Sequence, residues 1–445
     1  METVSDVACT VCGCVCDDLE VSLDGRNIVS LKGACQLAEP WLREQSQATR
    51  AIAELDGKAT TYEKAIALAA KTLAVAKSPL IFGLSRSSTP GQRAATQLAD
   101  ELGATIDTTA SLCHAPSIMA VQAVGESTCT LGEVKNRADL VIFWGCNPAE
   151  SHPRHAERYS AFASGMFTPN GRADRTVVMI GDRREVERWR LDQNGAKPDL
   201  VIAVEPGKDF ELISMLRALI RGLPIAPQEW ATFRARFDGQ DLAAFAQRLK
   251  NCHCGVFFFG LGLTRTQDQL LSESISHMTV ENLLRLTEEL NAFTRFHARR
   301  MRIYGDVTGA DNVLCWQTGY PFSVNLARSY PRYNPGEYSA DELLARGEVD
   351  ACLLIGTETL PQFSAEAIAH LRTIPLITLD YPASNAIVTP KVRFTTAPYG
   401  LEAAGCAYRM DEIPIPLKAI LPARFPTDEQ VLLDLIKAVH AVGRI

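Results

Sequence analysis

Five of the chain's thirteen cysteines fall within its first 35 residues: the run Cys9-Thr10-Val11-Cys12-Gly13-Cys14-Val15-Cys16, then Cys35. Taking Cys9, Cys12, Cys16 and Cys35 gives the spacing C-x2-C-x3-C-x18-C. Three thiolates on one tight loop can each bind a separate iron corner, and a distant fourth closes the cage. Thiolate is the soft ligand that iron–sulfur clusters take. Gly13 is expected to allow the sharp turn, and Cys14, inside the loop, is not expected to be a ligand. Two other outcomes stay open: a structural zinc, which favours two CxxC knuckles where one is clear here, and thiols that hold nothing. A disulfide framework is the poorest account, because the cysteine count is odd and the spacing uneven.

A second constellation is Ser111-Leu112-Cys113-His114-Ala115-Pro116-Ser117. Cys113 and His114 suit a nucleophile with its base, a metal ligand with a proton-handling neighbour, or simply a packed thiol. Further polar and glycine-rich motifs close apolar runs. They are Gly145-Cys146-Asn147-Pro148, Gly181-Asp182-Arg183-Arg184, Glu205-Pro206-Gly207-Lys208-Asp209 and Gly260-Leu261-Gly262. Trp316-Gln317-Thr318-Gly319 lies in a stretch of little periodicity. One glycine after a strand is only a turn. Their recurrence at strand ends, where open α/β sheets bind ligands, points to a large cofactor.

Other tempting groups read as structure. Cys252-His253-Cys254 follows a helix end and reads as a turn. Phe257-Phe258-Phe259 is core strand, and Glu288-Glu289 is a solvated helix face. His152 and His155, flanking Arg154, read as a phosphate contact or local structure rather than a metal site.

The elements that must position these residues alternate. Near-continuous apolar runs, such as Pro79–Leu84, Asp139–Trp144, Thr176–Gly181, Leu200–Val204, Gly255–Gly260, Asp350–Gly356 and Pro375–Asp380, read as strands buried on both faces. Helical patterns over Tyr62–Ala76, Gly91–Leu102, Asp209–Arg221, Val280–Leu290 and Asp428–Val442 lie between or after them. The alternation predicts doubly wound α/β units. The first ~55 residues read instead as short strands and loops around a metal, Ala310–Tyr338 reads as irregular, and no repeat stands out. The 445 residues, 47% hydrophobic, suffice for several domains. A net charge of −7 without a basic tract argues against nucleic acid. No apolar run reaches the ~18 residues of a membrane span, and Met1–Ala8 is not a signal peptide. A cytoplasmic location is therefore expected.

Taken together, these motifs resemble the molybdopterin oxidoreductase group, and specifically the family of the formylmethanofuran dehydrogenase B subunit. The sharpest stretches are the N-terminal cysteines, Leu112–Ser117, Phe143–Arg154, Phe259–Thr264, Val307–Phe322, Ser329–Glu337 and Gly405–Pro414. The resemblance implies a [4Fe–4S] cluster on Cys9, Cys12, Cys16 and Cys35. It implies a tungsten or molybdenum bis(pyranopterin guanine dinucleotide) with Cys113 as the protein ligand of the metal. His114 and Arg302 would stand beside substrate, where an arginine fork suits the formate carboxylate. Gly145, Asn147, Pro148, Asp182, Arg183, Pro206, Gly207, Asp209, Gly260, Gly262, Gln317, Thr318 and Gly319 would contact the pterin cofactor.

The implied reaction is reversible CO2/formate interconversion, active only in a multi-subunit complex. Its other components would be an amidohydrolase-like, zinc-dependent A component, a C component, and a formyltransferase or dinucleotide-binding D component. The implied layout is 1–56 as cluster domain, 57–170 as the α/β domain carrying Cys113, 171–300 as the pterin-binding α/β domain, and 301–445 as an α/β domain with a cofactor-facing irregular segment, the α/β units surrounding a pterin cleft. The B subunit of the bacterial formyltransferase/hydrolase complex, a scaffold without metal or cluster, is the alternative. Two departures from the family bear on occupancy: Gly181-Asp182-Arg183 replaces Asp-Pro-Arg, and Ile303 replaces a glycine after Arg302.

Overall fold

The computed structural model describes residues 2–236, 241–264 and 276–443. The chain forms two compact units: unit 1 takes residues 1–112 and 304–445, and unit 2 takes 113–303. The chain thus enters unit 2 at Cys113 and leaves it after Ile303. The compact units cut the chain differently from the four consecutive stretches of the sequence reading, because strands far apart in sequence pair in unit 1.

Unit 2 is built on a five-stranded parallel sheet ordered Leu200–Val204, Thr176–Asp182, Leu140–Trp144, Cys254–Phe259, Arg295–Arg300. Both faces are covered, which is why its inner strands are apolar throughout. Trp144, Phe257, Phe259 and Phe296 are fully buried with Leu212, Leu216, Leu283 and Leu286 from the flanking helices. Each such ring stabilises by about 2–3 kcal/mol. Gly255 lies under the Phe296 ring, where a Cβ would come within 2.1 Å of it.

Unit 1 carries a nine-stranded sheet. Its parallel centre runs Thr105–Thr108, Pro79–Gly83, Ala351–Ile355, Leu376–Asp380, Val392–Thr395. Antiparallel hairpins finish the two edges, Val324–Asn325 with Arg332–Tyr333 and Ala53–Leu55 with Lys58–Thr60. The N-terminal residues form a separate three-stranded antiparallel sheet, Glu2–Val7, Leu19–Asp24 and Asn27–Lys32, followed by helix Ala38–Gln47.

The two parallel centres share one topology, a repeat that the sequence reading did not find. In each, one strand's successors proceed to one side and another's to the opposite side. The switch lies between Leu140–Trp144 and Cys254–Phe259 in unit 2, and between Ala351–Ile355 and Pro79–Gly83 in unit 1. Asp139 precedes the first of these strands and accepts from the amides of His253 and Cys254. Asp350 does the same for Lys77 and Ser78. Gly145 and Gly356 follow the equivalent strands, both with left-handed backbone (φ 63° and 84°).

Several details depart from the sequence reading. Ala310–Tyr338 is not irregular from its start: helix Val307–Thr318 runs through it, capped by Asp306, whose carboxylate accepts from the Gly309 amide at 3.1 Å. Strands Thr105–Thr108, Arg295–Arg300 and Val392–Thr395 have no counterpart in the sequence reading. Glu289 is not merely solvated, since Arg217 binds it at 2.6 Å. Among the described residues no helix is long and apolar enough to cross a membrane.

Candidate functional site

The cysteine loop of unit 1 is closed by its own backbone. The Cys9 amide donates to Cys16 O at 2.8 Å and the Val15 amide to Cys12 O at 3.1 Å. The left-handed residue of the loop is Val15 (φ 36°), not Gly13. A β-branched side chain there is strained, by about 1–3 kcal/mol. Burial of Val15 with Tyr399, Ala407 and Ile415 holds it in place. Arg86 clamps the loop from outside, donating to Thr10 O at 2.7 Å and Val11 O at 3.2 Å.

Cys9, Cys12 and Cys16 are buried, and Cys35 is half-buried just ahead of helix Ala38–Gln47, its carbonyl accepting from the Ala38 and Glu39 amides. Burial pushes the Cys9 thiol up, and the neighbouring Cys16, Cys12 and Cys35 push it further. Burial likewise raises Cys35, against the pull of the Ala38 and Leu37 amides. The four thiols therefore lie within electrostatic reach of one another. Cys14 is drawn into the same group: hydrogen bonds with Cys12 and Cys16, then burial, raise it well above the usual thiol value. No disulfide joins the described cysteines. Among the described residues no three His, Cys, Asp or Glu side chains stand close enough to hold a single metal ion. A polynuclear cluster needs wider spacing than one ion, because each thiolate takes a different iron.

In unit 2, Cys113 is buried and its carbonyl accepts from Thr264 Oγ1 at 3.1 Å. His114 follows at the start of helix Ala115–Val124, wholly buried. Its Nε2 lies 3.3 Å from Met301 O and its Nδ1 3.3 Å from Ser117 Oγ. Arg302, also buried, is the next residue along that backbone, and its carbonyl meets His152 Nε2 at 2.7 Å. His114 and Arg302 are thus brought to one place through the 301–302 backbone. His155 stays local, with its ring 4.5 Å from Phe258 and Nδ1 3.0 Å from Ser160.

At the carboxyl ends of the unit 2 strands lies a crevice of about 290 Å³. Of the predicted cofactor residues, Gly145, Asn147, Asp182, Pro206, Gly207, Asp209 and Gly262 line it. Pro148 opens the short helix Pro148–Ser151 beside it, and Arg183 faces Glu205 at 3.6 Å. Gly260 and Gly262 supply closeness rather than contact: a Cβ on either would sit 2.8 Å from Gly145 O. Gln317, Thr318 and Gly319 end a helix of unit 1 instead. Gln317 and Gly319 are exposed there, and the Thr318 hydroxyl donates back to Leu314 O.

The sequence reading missed Glu150, Glu185 and Trp189, which also line the crevice, as does Glu205, named there only as part of its motif. Trp189 carried no signal. Its ring lies against Gly181, where a Cβ would come within 2.3 Å. Asp182 is held low by Arg184. Burial raises Asp209 to about 6, although Trp144 Nε1 donates to it at 2.7 Å.

The equivalent strand ends of unit 1 hold a narrow crevice of about 10 Å³ lined by Arg86, Gly356, Glu358, Asp380, Tyr381 and Ser384, among others. Nearby in the chain, the hydroxyls of Thr109 and Thr359 are buried with no partner among the described residues.

No family model matches the chain. It is 39% identical, over 99% of its own length and 99% of the relative's, to the B subunit of tungsten-containing formylmethanofuran dehydrogenase 2 from Methanocaldococcus jannaschii. It is 35% identical, over the same shares, to the protein of that name from Methanococcus maripaludis. To the Fhc B subunit of the formyltransferase/hydrolase complex of Methylorubrum extorquens it is 26% identical, over 69% of this chain and 75% of the relative. A chain in the crystal structure of that organism's formyltransferase/hydrolase complex (FhcABCD) with methylofuran shares the fold, with a TM-score of 0.71 at 24% identity over 88% of this chain and 99% of that one.

Proposed function

Because the chain belongs to the family of the formylmethanofuran dehydrogenase B subunit, we propose that it holds one [4Fe–4S] cluster and a tungsten or molybdenum bis(pyranopterin guanine dinucleotide), and interconverts CO2 and formate. It would do so inside a cytoplasmic complex. There an amidohydrolase-like A component, a C component and a formyltransferase or dinucleotide-binding D component couple formate to methanofuran. The observation that carries this reading is that the buried thiols Cys9, Cys12 and Cys16, on one closed loop, lie within electrostatic reach of the half-buried Cys35. Thiolates so placed repel one another, and a cationic cluster relieves that repulsion and deprotonates them.

The residues of unit 2 fit a dinucleotide arm. The crevice opens where Gly145 and Gly262 replace side chains, and its wall is acidic: Glu150, Asp182, Glu185, Glu205 and Asp209. Carboxylates repel a pyrophosphate but accept from the N–H groups of guanine. The crevice therefore suits the base end of the cofactor.

When bound, the metal–pterin group would supply two-electron exchange with formate, and the cluster would serve as the electron relay. The chain's own part is positioning and proton handling. Cys113 would ligate the metal through its thiolate, and the Arg302 guanidinium would grip the formate carboxylate. His114, with Nε2–H turned to Met301 O, takes and returns the proton at Nδ1.

Elemental analysis of the complex purified without oxygen tests this. Tungsten or molybdenum with several irons per chain is expected. Absence of both metals, with iron below about one atom per chain, would sink the reading. That result would instead support the second reading, a cofactor-free assembly protein, which the shared fold with the formyltransferase/hydrolase complex chain favours. Cys113→Ala should abolish viologen-coupled formate oxidation, and unchanged activity would remove Cys113 as ligand.

A further inference from the structure

We propose that His152 is a positioning residue for Arg302, its Nε2–H fixing the carbonyl of that residue and so the backbone from which the guanidinium springs. This rests on the assignment of Arg302 to the formate carboxylate made above.

The geometry is specific. His152 is wholly buried, and its Nε2 stands 2.7 Å from Arg302 O. A carbonyl only accepts, so Nε2 carries the hydrogen. Nδ1 stands 2.9 Å from Ser151 Oγ. The Ser151 hydroxyl has one hydrogen and two places to send it, Nδ1 or Asn147 O at 2.9 Å. Asn147 O already accepts from the amides of Glu150 and Ser151 at 3.3 and 3.1 Å. It does not need the hydroxyl, whereas Nδ1, buried, does. The hydroxyl therefore turns to Nδ1, and the imidazole is the neutral Nε2–H tautomer. Burial supports this by pulling its pKa down to about 4.

The imidazole is itself held at both ends of its backbone. The His152 amide donates to Pro148 O, closing helix Pro148–Ser151, and His152 O accepts from the His155 amide, each at 2.9 Å. The 301–302 segment receives a second clamp, since His114 Nε2 lies 3.3 Å from the neighbouring carbonyl of Met301. The Met301 amide in turn donates to Phe259 O at 2.8 Å, extending the sheet to the residue before Arg302. Arg302 is the last residue but one before the chain leaves unit 2. Beyond Met301 the backbone leaves that sheet, and the carbonyls of Met301 and Arg302 are met there by the two imidazoles. The pair His152 and His155, singled out in the sequence, thus divides: His155 packs among aromatic rings, and His152 reaches Arg302.

An arginine that grips formate in ground and transition states alike sets KM more than kcat. In the purified complex, His152→Phe keeps a flat aromatic ring and removes the donor. It should raise the formate KM about tenfold with kcat changed less than about threefold. The dissociation constant of 13C-formate, from NMR line broadening without electron acceptor, should rise in parallel. His152→Gln, whose amide can donate in place of Nε2, should recover most of the affinity. An unchanged KM and dissociation constant in His152→Phe overturns the proposal, and so does equal loss of metal in both variants, which would mean that the ring only supports the fold. If Arg302→Ala itself leaves the formate dissociation constant unchanged, the assignment of Arg302 fails rather than the clamp.

Discussion

Asp209→Asn should make the protein more stable and its crevice less useful. The Asp209 carboxyl lines the unit 2 crevice and is raised from 3.8 to about 6, chiefly by burial and further by Asp182. Unfolding frees it to ionise at its ordinary value. Between pH 4 and 6 the folded protein therefore holds a proton that the unfolded chain has lost, and stability falls as pH rises through that window. A displacement from 3.8 to about 6 corresponds to about 3 kcal/mol in full. The crevice leaves part of the carboxylate open to water, so about 1–2 kcal/mol is expected. Asparagine removes the cost and keeps an oxygen for Trp144 Nε1–H. Urea unfolding followed by tryptophan fluorescence should show the Asp209→Asn variant more stable than wild type at pH 8 and little different at about pH 3, below the ordinary carboxyl value, where both states of the wild type hold the proton. Equal stabilisation at both pH values, or destabilisation at pH 8, would refute the reasoning. In the complex, the same variant should lower pterin content, since a carboxylate acceptor has gone.

Cys35→Ser should lower cluster iron in the purified complex, whereas Cys14→Ser should leave it unchanged; iron analysis and electron paramagnetic resonance compare the two. Gly262→Ala places a methyl 2.8 Å from Gly145 O and 2.9 Å from its Cα, backbone that cannot swing aside. It should cost about 1–3 kcal/mol and empty the crevice, read by thermal melting and cofactor content. Glu402, its side chain wholly buried, binds Arg26 and also Arg424 at 2.5 Å, and those arginines hold the carbonyls of Ser46, Gln45 and Ala48 at the end of helix Ala38–Gln47. Glu402→Ala should cost about 2 kcal/mol and expose the N-terminal segment first, seen as earlier proteolytic cleavage before residue 50.

The strands and helices that a single face or a continuous apolar run defines were legible. Leu200–Val204 and Asp428–Val442 begin and end where the pattern places them, and most others shift by one or two residues. Strand Arg295–Arg300 was not legible, because its arginines look solvated. Inside the fold Arg299 finds Thr128 Oγ1 at 2.9 Å and Arg300 finds Glu126 at 3.4 Å, so charge that reads as surface is buried. Helix Val307–Thr318 was hidden by Gly309, Asp311 and Asn312, and depends on the Asp306 cap, which accepts also from the Tyr408 amide at 2.6 Å, a residue far away in sequence.

For the site, residue type and spacing sufficed to name the cysteines, and strand-end glycines pointed to seven residues of the crevice, because ligand-binding turns impose their own local chemistry. Which groups share a place was decided by pairing between distant strands. That pairing set Gly262 against Gly145 and turned five separate carboxylates into one acidic wall. It laid Trp189 on Gly181 and delivered the Arg302 carbonyl to His152. The duplication of the parallel sheets is likewise visible only in their topology: the sequence keeps an aspartate before one strand and a glycine after it in each unit, while the apolar residues between them interchange freely so long as both faces stay covered.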